Sequence, residues 1–238
     1  MRLVSALEKV FLDERPVYRP ECMKLTALKG ETVSFQAACT CTSFMKNRVK
    51  VRIESPISDR IHVRKVENVP AGRVCGPIVD DNYLKTESGL YPDLLRELVD
   101  GEVDIFPQKW RSIWIDIEVT EDVKAGLYPV TVILEKDGET LARAATEVTI
   151  YDAVLPKQKM MHTEWFYLDC LADYYHVPVF SEEHWEIITN YLKEYVKRGC
   201  NMILTPLFTP ALDTAVGIER TTTQLLDVRV ENGNYSFG

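Results

Sequence analysis

The side chains best placed to do chemistry gather in residues 199–220, GCNMILTPLFTPALDTAVGIER. A short apolar strand over 200–204 breaks there into a loop carrying Thr205, Pro206, Thr209, Pro210, Asp213, Thr214, Glu219 and Arg220. An apolar strand that turns abruptly into a long polar loop is how the C-terminal face of an α/β barrel assembles a site: the strand fixes where the loop starts, and the loop supplies the polar groups. A loop this long is uncommon as a plain connector. Asp213 and Arg220 can each hydrogen-bond a polar ligand, or they can pair with each other and stiffen the loop. Glu219 shares that ambiguity. Thr205, at the strand's end, is placed to point into a barrel mouth, although its hydroxyl can equally cap the loop backbone. The loop reads as half of a binding surface.

Other constellations are weaker. Cys39 and Cys41 share a strand face, yet no His or further Cys pair stands at ligand spacing, so packing is favoured over metal and no metal is expected. Asp116 and Glu118 share a face with Trp114, which reads as a solvated sheet face. His162 lies early in a strand, as a structural group or a ligand contact, and His184, near a helix start, reads as a surface residue. GxGxxG, a phosphate-binding loop and a GxSxG elbow are all absent from the sequence, so no cofactor is expected.

The bulk composition narrows the partners. Lys and Arg total 28 against 36 Asp and Glu, a net charge of −8, which opposes a nucleic-acid or anionic-membrane surface. No run approaches the ~20 apolar residues of a membrane-spanning helix. Glu8 and Lys9 come too early for a signal-peptide apolar core. Six cysteines, at 22, 39, 41, 75, 170 and 200, mostly in apolar strand patterns, read as free thiols in a reducing cytoplasm.

The elements that must position the loop fall into two regions. Residues 31–42 alternate, with Val33, Phe35, Ala37, Cys39 and Cys41 facing one way, as in a half-buried antiparallel strand. Residues 50–54 and 61–66 continue the pattern. Residues 112–120 put Ile113, Ile115, Ile117 and Val119 on one face. Residues 127–135 and 139–150 flank an Asp137-Gly138 hairpin signal. These short strands predict an immunoglobulin-like β-sandwich over 1–155. Residues 71–107 are less regular, and 89–95 read as an ordered loop with one helical turn. Pro156 marks the boundary.

Beyond it, 160–167 reads as a strand. Ser181 caps a helix with Glu182 and Glu183 in its first turn, an apolar stripe of Trp185, Ile188, Leu192 and Tyr195, and a Gly199 stop. The strand over 200–204 completes a βαβ unit with a parallel pair. A hairpin over 223–237 turns at Asn232-Gly233. Two parallel strands and one helix do not close a barrel, which takes eight strands and roughly 250 residues. Residues 156–238 therefore read as an incomplete α/β, TIM-barrel-type segment, either part of a longer protein or one that buries its open edge by self-association.

Long strings resemble a known family. His162-Thr163-Glu164-Trp165-Phe166, Asp169, Tyr174-Tyr175 and Phe180-Ser181-Glu182-Glu183-His184-Trp185 match where its barrel begins. Asn201 to Pro206, Phe208-Thr209-Pro210, Leu212-Asp213-Thr214 and 217–224 match the loop after its second strand, and 89–95 its sandwich motif. The chain resembles the bacterial glycoside-hydrolase-like group related to glycoside hydrolase family 123, with an N-terminal β-sandwich and a C-terminal (β/α) barrel.

The resemblance implies hydrolysis of N-acetylgalactosaminide-type glycosides by a retaining, substrate-assisted route, in which the sugar's acetamido oxygen attacks the anomeric carbon. It makes a carbohydrate the partner and Trp165 a stacking platform for a sugar ring, with core packing as the alternative. The family carries an adjacent Asp-Glu pair on a later barrel strand. Glu121-Asp122 and Asp13-Glu14 lie in the wrong context for that role, so no catalytic residue is assigned and this chain alone is expected to be inactive. Substrate-binding candidates are Trp165, Thr205, Asp213 and Arg220. The rival readings are a non-catalytic carbohydrate- or protein-binding sandwich module and a sandwich that only braces the barrel.

Overall fold

Period-two alternation builds most of the first region. A computed structural model describes residues 1–17, 19, 23–44, 48–72, 83–205, 207, 217, 219–226 and 228–237. The chain divides into two units, Met1–Leu155 and Pro156–Gly238. Among the described residues the first unit contains β1 (Arg2–Ser5), β2 (Lys24–Lys29), β3 (Glu31–Cys39), β4 (Val49–Glu54), β5 (Ile61–Ala71), β6 (Gly89–Glu97), β7 (Glu102–Val103), β8 (Arg111–Val119), β9 (Gly126–Lys136) and β10 (Glu139–Val154). They form two five-stranded sheets, in the orders β1-β3-β8-β5-β6 and β2-β10-β9-β4-β7. Pairing is antiparallel except for β2, which runs parallel to β10.

The alternation decides which face is buried. Phe35, Ala37 and Cys39 of β3 and Ile113, Ile115, Ile117 and Val119 of β8 enter one core with Val130, Val132 and Leu134 of β9 and Val148 and Ile150 of β10. Both sheets thus close over the same apolar layer. Each fully buried Ile, Val or Phe contributes about 1.5–3 kcal/mol of transfer free energy. The β9–β10 hairpin turns at Asp137 and Gly138, with φ of 52° and 83°. A two-residue turn that continues the strand twist needs both angles positive, which Gly138 adopts without strain.

Two sequence expectations fail in this unit. Residues 89–95 are not a loop with a helical turn but β6, paired with β5. Pro92 is tolerated because β6 ends its sheet and Pro92 sits opposite Asn68 at a shift in register. The outer face of β8 is solvated at Glu118 but not around Asp116. Asp116 is 8% exposed and accepts from Ser34 Oγ at 2.5 Å, from Trp114 Nε1 at 2.7 Å and from Arg64. Nearby, Gln36 is buried under the segment after β1. Its Nε2 donates to the carbonyls of Ser5 (2.9 Å) and Glu8 (2.8 Å), and its Oε1 accepts from Ser112 Oγ at 2.6 Å.

The cysteines follow burial. Cys39, with Sγ 3.7 Å from the carbonyl oxygen of Arg111, lies in the core, and burial pushes its thiol up to about 12. Cys39, Cys41, Cys170 and Cys200 are free thiols; Cys22 and Cys75 lie outside the described residues. Among the described residues no three His, Cys, Asp or Glu side chains gather closely enough to hold a metal, and no helix is long and apolar enough to cross a membrane.

The second unit is built around β11 (Thr163–Trp165), α1 (Leu168–Tyr175), α2 (Glu182–Lys197) and β12 (Met202–Leu204), followed by the hairpin β13 (Val228–Glu231) and β14 (Asn234–Phe237). The two short strands are parallel, Thr163 opposite Met202 and Trp165 opposite Leu204. Helix α2 starts as its sequence requires: Ser181 Oγ accepts from the His184 amide at 3.2 Å. After the helix, Gly199 takes φ of 88°, the left-handed stop. The hydroxyl of Tyr195 accepts from the Glu164 amide at 2.5 Å and donates to the Met202 carbonyl at 2.8 Å, so α2 holds the parallel pair from one side.

Helix α1 was not anticipated, because Tyr167 offers no polar cap and His176, in the left-handed region at φ 56°, ends it without a glycine. Its Leu168 and Leu171 pack on Ile188. His184 is not a surface residue. It is fully buried, its Nδ1 accepts from the Phe180 amide at 2.9 Å, and its Nε2 hydrogen-bonds the Leu168 carbonyl at 3.1 Å. These partners fix the neutral tautomer with the proton on Nε2. His184 thus heads the buried stripe expected to start at Trp185, and Trp185 stacks on Phe180 at 5.3 Å, half-exposed.

Three outcomes test these packings. Asp116→Ala leaves Arg64 to its looser 3.8 Å contact with Glu97 and removes an acceptor from Ser34 and Trp114, so equilibrium urea unfolding should show a loss of about 3 kcal/mol; unchanged stability would remove the network's structural role. His184→Ala orphans the Phe180 amide, at about 1–3 kcal/mol, and takes a second donor from the Leu168 carbonyl; it should lower the urea midpoint of the helical signal, with His184→Gln losing less. Iodoacetamide at pH 8 should leave Cys39 unmodified in the native chain and label it in urea, read by peptide mass spectrometry.

Candidate functional site

In the second unit, the C-terminal ends of the parallel strands collect the candidate residues. Trp165 closes β11 and Thr205 follows β12, with the Phe166 amide donating to the Leu204 carbonyl at 2.8 Å. Trp165 is 59% exposed, large for an indole, and stacks on Tyr167 with ring centroids 5.7 Å apart and planes 16° apart. Two aromatic residues spaced i, i+2 at a strand's end share a side, and that spacing was the sequence signal for Tyr167.

Arg220 reaches the same place from the chain after β12. Its guanidinium lies 4.8 Å over the Tyr167 ring, a cation–π contact. Its Nε and Nη2 approach Asp169 Oδ2 at 2.6 and 2.5 Å. The Asp169 side chain is 4% exposed and that of Arg220 14%. Asp169 stands in the first turn of α1, where the helix dipole favours a carboxylate. One turn on, Asp173 accepts from Thr221 Oγ. Consecutive residues of the returning chain therefore bind two carboxylates on one face of α1.

Asp213 lies outside the described residues, as do Pro206, Thr209, Pro210 and Thr214. Arg220 pairs with Asp169. Asp169 belongs to the strings that carry the family resemblance, without a role of its own there. Its only local signal was a carboxylate among Leu168, Leu171 and Ala172 at helical spacing. Glu219 is exposed. His162 sits before β11, at the opposite end from Trp165, with Nε2 3.4 Å from Glu164 Oε1 and Nδ1 3.7 Å from Cys200 Sγ. On α1, Cys170 has its thiol pushed up by partial burial and then by the charge of Asp169, which disfavours a thiolate nucleophile. The cluster as described can bind and orient an uncharged polar ligand with an apolar face, through an exposed indole, a hydroxyl and a braced guanidinium.

Comparison with known proteins places this geometry. No curated protein matches the chain. A family 123 glycoside hydrolase from Clostridium perfringens, whose structure was determined to explain glycolipid glycan hydrolysis, superposes with a TM-score of 0.70 at 18% identity. The superposition covers 90% of this chain and 38% of that one. The N-terminal domain of PorA matches at a TM-score of 0.28 and 11% identity, covering 64% of this chain and 99% of that domain, too slight a likeness to support an inference. Residues 165–238 match the model of the glycoside hydrolase 123 catalytic domain. The model of the glycoside hydrolase 123 N-terminal domain spans residues 11–136, more than half of the chain, and the chain belongs to the glycoside hydrolase 123 family.

Proposed function

We propose that this chain is the N-terminal part of a glycoside hydrolase acting on N-acetylhexosaminyl glycans of the N-acetylgalactosaminide type. In this reading residues 1–155 are an immunoglobulin-like accessory sandwich and residues 156–238 open a (β/α) barrel whose mouth holds the sugar. The single observation that carries it is the exposed Trp165 at the C-terminal end of a parallel strand, within a segment that matches the catalytic-domain model. Parallel strands are ordinarily covered on both faces, and the half-exposed Met202, Ile203 and Leu204 of β12 suit a sheet that further barrel strands and helices cover.

The chemistry follows the substrate-assisted route. The acetamido oxygen displaces the leaving group from the anomeric carbon, a carboxylic acid gives the departing oxygen its proton, and water then opens the cyclic intermediate. The residues of this chain bind and orient. Trp165 presents an aromatic face to the C–H side of a pyranose, while Thr205, Asp213 and Arg220 serve the hydroxyl side of the mouth. The Asp-Glu pair that polarises the acetamide and supplies the proton belongs to a later barrel strand, so residues 1–238 alone are inactive.

The test is hydrolysis of p-nitrophenyl N-acetylgalactosaminide by the full-length gene product. Wild type should release nitrophenol, residues 1–238 alone should not, and Trp165→Ala in the full-length protein should lower kcat/KM by about tenfold, equivalent to about 1.4 kcal/mol, without shifting Tm. Turnover of p-nitrophenyl glucoside with none of the N-acetylgalactosaminide would overturn the substrate assignment.

A further inference from the structure

The contacts of Arg220 give it a task beyond serving the hydroxyl side of the mouth. Both of the nitrogens described above point at a carboxylate that is almost wholly buried, and its plane covers Tyr167 rather than the open side of the cluster. Tyr167 in turn stacks on Trp165, the exposed member of the four. We infer that Asp169 and Arg220 form a clamp that sets the orientation of a Trp165–Tyr167 aromatic platform for the apolar face of a pyranoside. Asp169 is then a positioning residue that no ligand touches. The inference rests on the sugar-site reading proposed above and adds to it the device that makes the platform rigid.

Three features favour a clamp over a simple stabilising ion pair. A buried carboxylate–guanidinium pair contributes little net stability over an apolar replacement of the same shape, and its best-attested use is to fix one arrangement among several. The pair joins elements far apart in sequence, since Asp169 and Arg220 are 51 residues apart, so neither α1 nor the returning chain can set the position of Tyr167 without the other. The second tie, Thr221 to Asp173, stops the returning chain from pivoting about Arg220. An aromatic face binds a sugar only while it is held parallel to the ring, so a loosened platform loses affinity more than it loses chemical rate.

The experiment uses the full-length gene product labelled with 5-fluorotryptophan, with the Trp165 resonance assigned from Trp165→Phe, and p-nitrophenyl N-acetylgalactosaminide as substrate. Asp169→Asn keeps the shape and loses the charge. Arg220→Lys keeps the charge and loses the fork, and it covers the case in which Asp169→Asn does not fold. In both, the Trp165 fluorine signal should move and broaden while the other tryptophan signals stay in place, and KM should rise about tenfold more than kcat falls. Asp169→Glu should restore part of the KM change. If Trp165→Ala changes KM and the clamp variants move neither the Trp165 signal nor KM, the clamp is overturned and the sugar site stands. If Trp165→Ala itself leaves KM unchanged, the sugar-site reading falls, and the clamp falls with it.

Discussion

A carboxylate with 4% of its side chain exposed is costly unless a cation and hydrogen bonds meet it, and in the second unit Arg220 does both. Removing either partner of such a pair costs about 3–5 kcal/mol, because the survivor stays buried and uncompensated. That penalty makes α1 and the chain after β12 interdependent. Helix α1 is short, eight residues, and lacks a side-chain cap, so it depends on tertiary contacts to exist at all. Leu168 and Leu171 supply the apolar contact with α2, and Asp169, between them in sequence, supplies the polar one with Arg220. A single helical turn therefore carries both the packing that holds the helix and the charge that holds the returning chain.

The same division, apolar side chains for cohesion and a few buried polar groups for arrangement, organises the first unit. The shared core is non-directional and would tolerate small rotations of either sheet. The outer-face contacts do not. Asp116 takes donors from three strands, Ser34 on β3, Trp114 on its own β8 and Arg64 on β5, and so fixes the order and register of their neighbourhood. Gln36 ties the segment after β1 to β3 by donating to the backbone carbonyls of Ser5, Ala6 and Glu8. His184 plays that part in the second unit, satisfying the Phe180 amide and the Leu168 carbonyl from one ring.

What was legible in the sequence is what local periodicity can carry. The strand expected over residues 31–42, which forms over 31–39 with both faces buried from Phe35 on, the apolar face of β8, the Asp137-Gly138 and Asn232-Gly233 turns and the Ser181 cap all rest on residues within a few positions of one another. The failures share the opposite property. Asp116 looked solvated because alternation assigns a face but not what lies over it; Arg64 arrives from 52 residues away. His184 looked exposed because a histidine beside two glutamates at a helix start has that local character, and its burial depends on α1, which had no cap signal. The 89–95 segment looked irregular because Pro92 and paired leucines break the period, and only the partner β5 makes it a strand.

The site divides along the same line, and this bears on how its residues should be understood. The change from apolar strand to polar loop after β12 is a local feature, so the place was readable. The roles were not, because they are set by pairs. Taken from sequence alone, Arg220 and Asp213 were natural partners, seven positions apart on one loop. Asp169 offers Arg220 a carboxylate already held by a helix, with the helix dipole behind it, beside an aromatic ring that the cation covers. The apolar contacts of α1 order that carboxylate in advance, so only the guanidinium has conformational entropy left to lose when the two meet. Charge allows Asp169 and Arg220 to meet, and prior ordering of the carboxylate lowers what their meeting costs.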